Sequence, residues 1–361
     1  MTSPLKPGPT LAVNEFSDAF FSKELNKRYV FGINEYSEQI ANMIKIDGFI
    51  DDYATFPDWS GVPVFKLADV ESDSLVVSCV TANRPITALN KLRQSGIKAY
   101  CDYFSLADAN KGKLQQVMAI AEFRKDYGRN TAEYKWIREL FFDDESRDVF
   151  DCIMKFRLQG NLQAMTRFEY AVDRQYFEPF LQLSPEETFV DGGGFDGFTS
   201  KQFVAHCPEY SAIHFFEPSH KTLTLAQKNL SGLQNIHYYP LGLYETRSNL
   251  SFDSSAGSAS CIDKNGSELI QVAPLDEIIT SPVSFIKLDL EGAEPEALKG
   301  MKGHIKNDHP KLAVAVYHRP SDFWQIPRYI LGLRSDYRVF LRHYTEGWTE
   351  TVMFFIPIPQ D

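Results

Sequence analysis

The sequence predicts an α/β protein: a C-terminal seven-stranded Rossmann-like sheet, preceded by a smaller Rossmann-like domain and a helical bridge. Three observations predict it. Short apolar runs alternate with segments of helical spacing across residues 28–104 and again beyond residue 185. The run Thr188, Phe189, Val190 leads into an acid, a glycine-rich turn and a helix start near Thr199, which is how an open parallel sheet begins a nucleotide-type site. Late in the chain, residues 337–343 and 349–356 alternate in period two around a turn containing Gly347, as an antiparallel pair closing a sheet edge does.

In chain order, residues 1–27 read as a tail and a helix. The first ten residues are proline-rich and lack the apolar core of a signal peptide, whereas Phe16, Phe20, Phe21 and Leu25 recur near helical spacing. Strands at 29–34, 46–52, 62–64, 75–80 and 97–101, with helices at 35–44 and 85–95, form a small domain over 28–104. Residues 105–184 are a helical bridge: Trp136, Ile137, Leu140 and Phe141, then Val149, Phe150, Ile153 and Met154, keep a period near 3.6. Phe168, Tyr170, Tyr176, Phe177 and Phe180 read first as core, with the wall of a sugar pocket as the alternative, since aromatic faces stack on carbohydrate rings. The second domain covers 185–361, with strands at 188–190, 212–216, 236–239, 283–288 and 312–317 and helices at 200–205, 219–230 and 294–298.

Composition narrows the function classes. A formal net charge of −11 argues against nucleic acid as a partner. No apolar run approaches the ~18 residues of a membrane span. The five cysteines, Cys79, Cys101, Cys152, Cys207 and Cys261, are scattered and never spaced as C-x-x-C, so neither a disulfide framework nor a zinc site is expected and the cytoplasm is the expected location.

The glycine loop reads in two registers. Gly192, Gly194 and Gly197 satisfy G-x-G-x-x-G, with Glu217 about 20 residues further on, as a dinucleotide site requires. Asp191, Gly193 and Gly197 satisfy D-x-G-x-x-x-G, which resembles the first motif of S-adenosylmethionine-dependent methyltransferases. Charge separates the two, because an acid at the strand end repels a pyrophosphate and suits a ligand bearing an ammonium and a sulfonium. Glu217, ahead of Pro218, is placed to accept both ribose hydroxyls, or serves only as a helix cap. Lys287 sits in an apolar strand, where a lysine needs a partner. Asp289, Glu291 and Glu294 follow where ligands bind, at the carboxyl end of a parallel strand; the plain alternative is an ion pair between Lys287 and one carboxylate.

Taken together, segments 191–197 (DGGGFDG), 216–218 (FEP), 274–277 (PLDE), 287–294 (KLDLEGAE) and 298–300 (LKG) resemble, in that order, the FkbM family of methyltransferases. The resemblance spans about 186–356 and departs from the family in the Gly192-Gly193-Gly194 run, where a more varied sequence is common. It implies O-methylation with S-adenosylmethionine, often on sugar or polyketide hydroxyls. Segments 31–37 (FGINEYS), 48–52 (GFIDD) and 61–64 (GVPV) resemble the nucleotide-sugar-binding domain of some sugar acyltransferases, with one glycine, Gly32, where the related pattern has more.

The candidate catalytic residues are His318, Asp289 and Lys287. His318 ends a strand and suits a general base near neutral pH, with Asp289 assisting or replacing it. Cofactor contacts are expected from Asp191, Gly192, Gly193, Gly194, Asp196, Gly197, Glu217, Pro218 and Asp289, and from Ser258 and Ser260 in a glycine-serine loop. No dedicated metal ligands are assigned; a divalent cation held by Asp289 with neighbouring carboxylates is a variant of the mechanism, not a requirement. Arg319, Arg342 and His343 are candidates for gripping an anionic acceptor group, with Arg342 and His343 as solvated strand ends the alternative. The reading is an S-adenosylmethionine-dependent O-methyltransferase for a hydroxyl of a sugar, glycan or other small metabolite, with a homodimer as a possible assembly. Its rivals are an NAD(P)-dependent oxidoreductase, which finds no Tyr-x-x-x-Lys pair, and a non-catalytic sugar-nucleotide-binding protein.

Overall fold

A computed structural model describes residues 11–22, 26–253, 261–262, 266 and 268–359. The chain divides into two compact units. The first takes residues 1–129, 150–171 and 344–349, and the second takes 130–149, 172–343 and 350–361. Helix Met118–Leu140 contains a non-helical residue, Asn130 (φ −123°), beside that division. No described helix is long and apolar enough to cross a membrane.

The first unit is built on a six-stranded sheet of β1 (Arg28–Phe31), β2 (Gly48–Ile50), β3 (Asp58–Trp59), β4 (Val62–Phe65), β5 (Leu75–Ser78) and β6 (Ala99–Asp102), in the order β3-β4-β2-β1-β5-β6. All neighbours are parallel except β3 against β4. The strand order reverses direction between β1 and β5, and a shallow cavity of about 390 Å³ opens there between Gly32–Asn34 and the loop containing Asn83 and Arg84, with Tyr170 beside it. Both helix starts at this edge are already capped by protein. Asn34 caps Glu35–Met43 through the amides of Tyr36 and Ser37, and Glu346 accepts the Thr87 amide at 2.7 Å in the first turn of Pro85–Gln94. Arg84 lies 3.8 Å over the Tyr170 ring.

The second unit carries the seven-stranded sheet. Its strands are β7 (Thr188–Gly192), β8 (Ala212–Phe216), β9 (Ile236–Tyr239), β14 (Phe285–Leu288), β15 (Lys311–Ala315), β16 (Tyr337–His343) and β17 (Thr351–Pro357), in the order β16-β17-β15-β14-β7-β8-β9. Five parallel strands are closed by the antiparallel pair, as expected. Buried runs such as Phe285–Leu288 and residues 312–315 reflect burial on both faces, the usual state of parallel strands. Phe189 stacks on Phe203 of helix Phe198–His206 at 4.4 Å and on Phe285 at 4.9 Å, anchoring the glycine loop's flanks to the core.

Two features were not expected. Between β9 and β14 the chain adds a four-stranded sheet, ordered β10-β13-β11-β12, from β10 (Gly242–Leu243), β11 (Ser248–Asp253), β12 (Cys261–Ile262) and β13 (Glu268–Ala273). Its apolar face is Phe252, Ile270 and Val272, with Tyr244 and Leu250 packed against it. The helical pattern of the bridge ends with helix Asp144–Gln159; residues 160–187 then run irregularly with two short 3₁₀ turns, Leu162–Met165 and Pro179–Leu181.

Candidate functional site

In the seven-stranded sheet β7 lies between β8 and β14, so the strand order reverses between β7 and β14. A ligand crevice is expected at that reversal, beyond the carboxyl ends of the strands. A cavity of about 540 Å³ lies there. Gly193, Phe195, Glu217 and Pro218 line one part of it, Asp289 and Glu291 another, and Leu243, Phe252 and Ile270 of the added sheet supply apolar wall.

The loop after β7 packs too closely for side chains. Gly193 has φ +73°, and a Cβ on it would overlap the carbonyl oxygen of Asp289; a Cβ on Gly194 would overlap the Phe215 ring. The amides of Gly193 and Gly194 donate to the Phe216 carbonyl at 3.1 and 3.0 Å, which ties the loop to the end of β8. Glu217 follows β8 directly and is 7% exposed. Its carboxylate accepts the Phe195 amide at 3.2 Å and the Ser219 amide at 2.9 Å. Burial pushes its pKa up to about 7, against the pull of those two amides.

Several expected contacts fall elsewhere. Asp191 is fully buried, accepts the Ser200 hydroxyl at 2.7 Å and lies 3.2 Å from Lys287 Nζ, so it faces the sheet interior and not the cavity. Lys287 Nζ also donates to the carbonyls of Gly192 (3.1 Å) and Gly193 (2.7 Å), so the plain ion-pair alternative describes it, extended by a grip on the loop backbone. The charge argument against a dinucleotide therefore loses its basis, because the Asp191 charge is met by Lys287 before any ligand arrives. Gly192, Gly194, Asp196 and Gly197 shape the turn without lining the cavity; Asp196 accepts the Phe198 amide at 3.1 Å, a local turn bond. Ser258 and Ser260 lie outside the described residues. Arg342 is bound to Asp143 (2.7 Å) and Ser146 (2.9 Å), and His343 meets Thr351 at 2.9 Å, so both are structural and not free for an acceptor. Arg319 is exposed, 3.7 Å from Glu296.

Asp289, Glu291, Glu294 and His318 do come together. His318 Nε2 is 3.2 Å from Glu291 and 3.5 Å from Asp289, and Nδ1 is 3.0 Å from Glu294. Burial opposes a charge on this ring, but Glu294, Glu291 and Asp289 outweigh it and raise its pKa well above the ordinary value. Burial likewise raises Glu291, and it pushes Asp322 and Glu350 up to about 7, helped by the charges of Glu294 and Asp289 respectively. Asp289 and Glu291 reach the cavity; His318 stands behind them.

Two contributors escaped sequence reasoning. Tyr176 donates to Asp289 at 2.6 Å, and Glu350 accepts from Gln175 at 2.7 Å and from Tyr317 at 3.4 Å. Tyr176 was visible only as one member of an aromatic stripe; its neighbour Phe177 is core, packed on Phe203, and Phe180 is half-buried against Phe340.

Comparison with known proteins fits this geometry. Over 95% of this chain and 92% of the other, the fold is similar to a crystal structure of an FkbM methyltransferase from Methylobacillus flagellatus KT, with 22% identity and a TM-score of 0.73. A methyltransferase structure from Aquifex aeolicus overlaps 55% of this chain and 99% of its own, at 13% identity and a TM-score of 0.33. No curated protein matches the sequence. The sequence profile described as the Methyltransferase FkbM domain matches residues 191–346, the segment that holds the glycine loop, Glu217, Asp289 and His318. With that match the oxidoreductase alternative is set aside: residues 191–346 are a methyltransferase domain of FkbM type, and the protein is a methyltransferase.

Proposed function

We propose that the enzyme transfers the methyl group of S-adenosylmethionine to a hydroxyl oxygen of a sugar, a glycan or another small metabolite. The observation that carries this reading is that Glu217 and the acidic pair Asp289 and Glu291 line one cavity of about 540 Å³. Its residues fit the cofactor: the loop at Gly193 admits no side chain, and Leu243, Phe252 and Ile270 offer apolar surface for a purine ring. Bound there, the cofactor supplies an electrophilic methyl group on a sulfonium sulfur.

The chain's own residues do the rest. Glu217 accepts the two ribose hydroxyls, its orientation set by the amides of Phe195 and Ser219. Lys287 holds the carbonyls of Gly192 and Gly193 and so fixes the loop; its role is positioning. Asp289, on the cavity wall, takes the proton of the acceptor hydroxyl. His318, 3.5 Å from Asp289 and off the cavity, acts through that carboxylate. Alignment of oxygen, carbon and sulfur supplies most of the acceleration.

Calorimetry with S-adenosylhomocysteine and with NAD, followed by mass spectrometry of a panel of hydroxylated acceptors, tests the reading. Binding of S-adenosylhomocysteine and the gain of one methylene unit on an acceptor are expected. NAD binding with no S-adenosylhomocysteine binding would overturn it. Cofactor binding with no hydroxylated acceptor methylated would overturn the proposed acceptor class.

A further inference from the structure

We infer that Asp289, Glu291 and His318 form a site for one divalent cation, Mn²⁺ fitting best and Mg²⁺ next, at the wall of the methyl-transfer cavity. One carboxylate oxygen from each acid and a ring nitrogen of His318 lie within 4.8 Å of one another. Glu291 and Asp289 stand 3.2 and 3.5 Å from Nε2. Neighbouring ligands of an octahedral ion bound at about 2.1 Å are about 3.0 Å apart, so small shifts would seat the ion.

The histidine is the independent sign. Its side chain is only 8% exposed, it points into the acidic cluster, and Nε2 faces Glu291 and Asp289 at 3.2 and 3.5 Å without an aligned hydrogen bond to either. Glu294, fully buried, faces Nδ1 at 3.0 Å. A carboxylate behind a metal-binding imidazole fixes the tautomer that leaves Nε2 free to ligate. Tyr176 holds the second oxygen of Asp289 at 2.6 Å, so the ligand has an outer partner too. Two carboxylates with positions left open to water suit Mg²⁺ and Mn²⁺, and the imidazole suits Mn²⁺ better than Mg²⁺; geometry and availability, not raw affinity, set them apart from zinc. Asp289 and Glu291 both line the cavity, so the ion's remaining positions open towards water or an acceptor hydroxyl, whose proton it would make easier to remove. That last role rests on the methyl-transfer reading; the binding site does not.

The test reads binding without turnover. Chelator-treated full-length protein is titrated with MnCl₂ by calorimetry and by electron paramagnetic resonance, with MgCl₂ in competition and pulsed measurements for nitrogen coupling. One Mn²⁺ per chain, nitrogen coupling, and at least tenfold weaker binding in Glu291→Gln and His318→Ala are expected, with Glu277→Gln, on the surface, unchanged. No saturable Mn²⁺ or Mg²⁺ binding by the wild type, or binding without nitrogen coupling that survives both substitutions, would overturn the site. Nitrogen coupling is read on the wild type, so a variant that fails to fold does not decide the outcome. Failure here leaves methyl transfer intact, and failure of methyl transfer leaves the titration unaffected.

Discussion

Lys287 and Asp191 are register partners on adjacent parallel strands, and their side chains meet at 3.2 Å with 3% and 0% exposure. The lysine also ties down two carbonyls of the loop that shapes the cofactor cavity. A charge pair sealed in a sheet thus sets the backbone on which the site is built. Truncating one member of such a pair strands the other in a medium where it cannot be solvated. Lys287→Met is expected to lower stability by about 3–5 kcal/mol and to weaken S-adenosylhomocysteine binding. Lys287→Met with Asp191→Asn is expected to recover part of the stability but not the affinity, because the loop carbonyls remain unheld. Urea unfolding with calorimetry separates the two effects; equal recovery of both would mean that the pair has no hold on the loop.

Glu217 gives the site a pH dependence. Its pKa is raised from 4.5 to about 7 by burial, so its protonated form favours the folded state. That contribution to stability is present below 4.5 and is lost as pH rises through about 7. On the proposed ribose contact, cofactor binding has the opposite sign, because two ribose hydroxyls would donate to the ionised carboxylate. Affinity for S-adenosylhomocysteine is expected to rise with pH and level off above about 7, falling by about tenfold per pH unit below it. Glu217→Gln is expected to bind more weakly with a flat profile. Calorimetry across this window checks both, and a wild-type profile as flat as that of the variant would place the ribose elsewhere.

The glycines of the loop are not equivalent to glycines elsewhere. Gly193 sits at φ +73° with the Asp289 carbonyl where its Cβ would be, whereas Gly232 has open space around it. Gly193→Ala must shift the loop away from β14. A stability loss of about 1–3 kcal/mol and at least tenfold weaker S-adenosylhomocysteine binding are expected, with Gly232→Ala close to wild type in both. Thermal unfolding and calorimetry on the two variants decide it.

Much of this architecture was legible in the sequence because parallel strands buried on both faces read as uninterrupted apolar runs. The strand at 212–216 falls where its apolar run predicts, and the antiparallel strand at 337–343 falls where its alternation predicts. Cross-sheet partnership was not legible. Nothing local in Asp191 says that it turns towards Lys287, since that depends on the β7–β14 register between residues distant in sequence. The added sheet left a signal that the glycine-serine stretch obscured: Leu250 and Phe252, then Ile270 and Val272, alternate with polar neighbours at period two. None of its strands shows a continuous apolar run like those of the parallel strands. Tyr176 was hidden for a different reason, because periodicity reports burial and is blind to where a hydroxyl points.

That hydroxyl supports the last prediction. Tyr176 donates to Asp289 at 2.6 Å, while Tyr317 reaches the other carboxylate oxygen at only 3.4 Å. Tyr176 is therefore the stronger constraint on where the Asp289 carboxylate points. Tyr176→Phe keeps the ring, which packs beneath Lys287 Nζ at 5.4 Å, and removes only the hydrogen bond. With Asp289 as the proposed base, loosening it would cost rate because proton transfer needs a fixed geometry. Losing an outer partner of a functional carboxylate is expected to lower kcat by about 10–100-fold, with S-adenosylhomocysteine affinity and melting temperature nearly unchanged. Steady-state kinetics alongside calorimetry resolve this, since a fall in affinity with kcat preserved would move Tyr176 from holding the base to shaping the cofactor pocket.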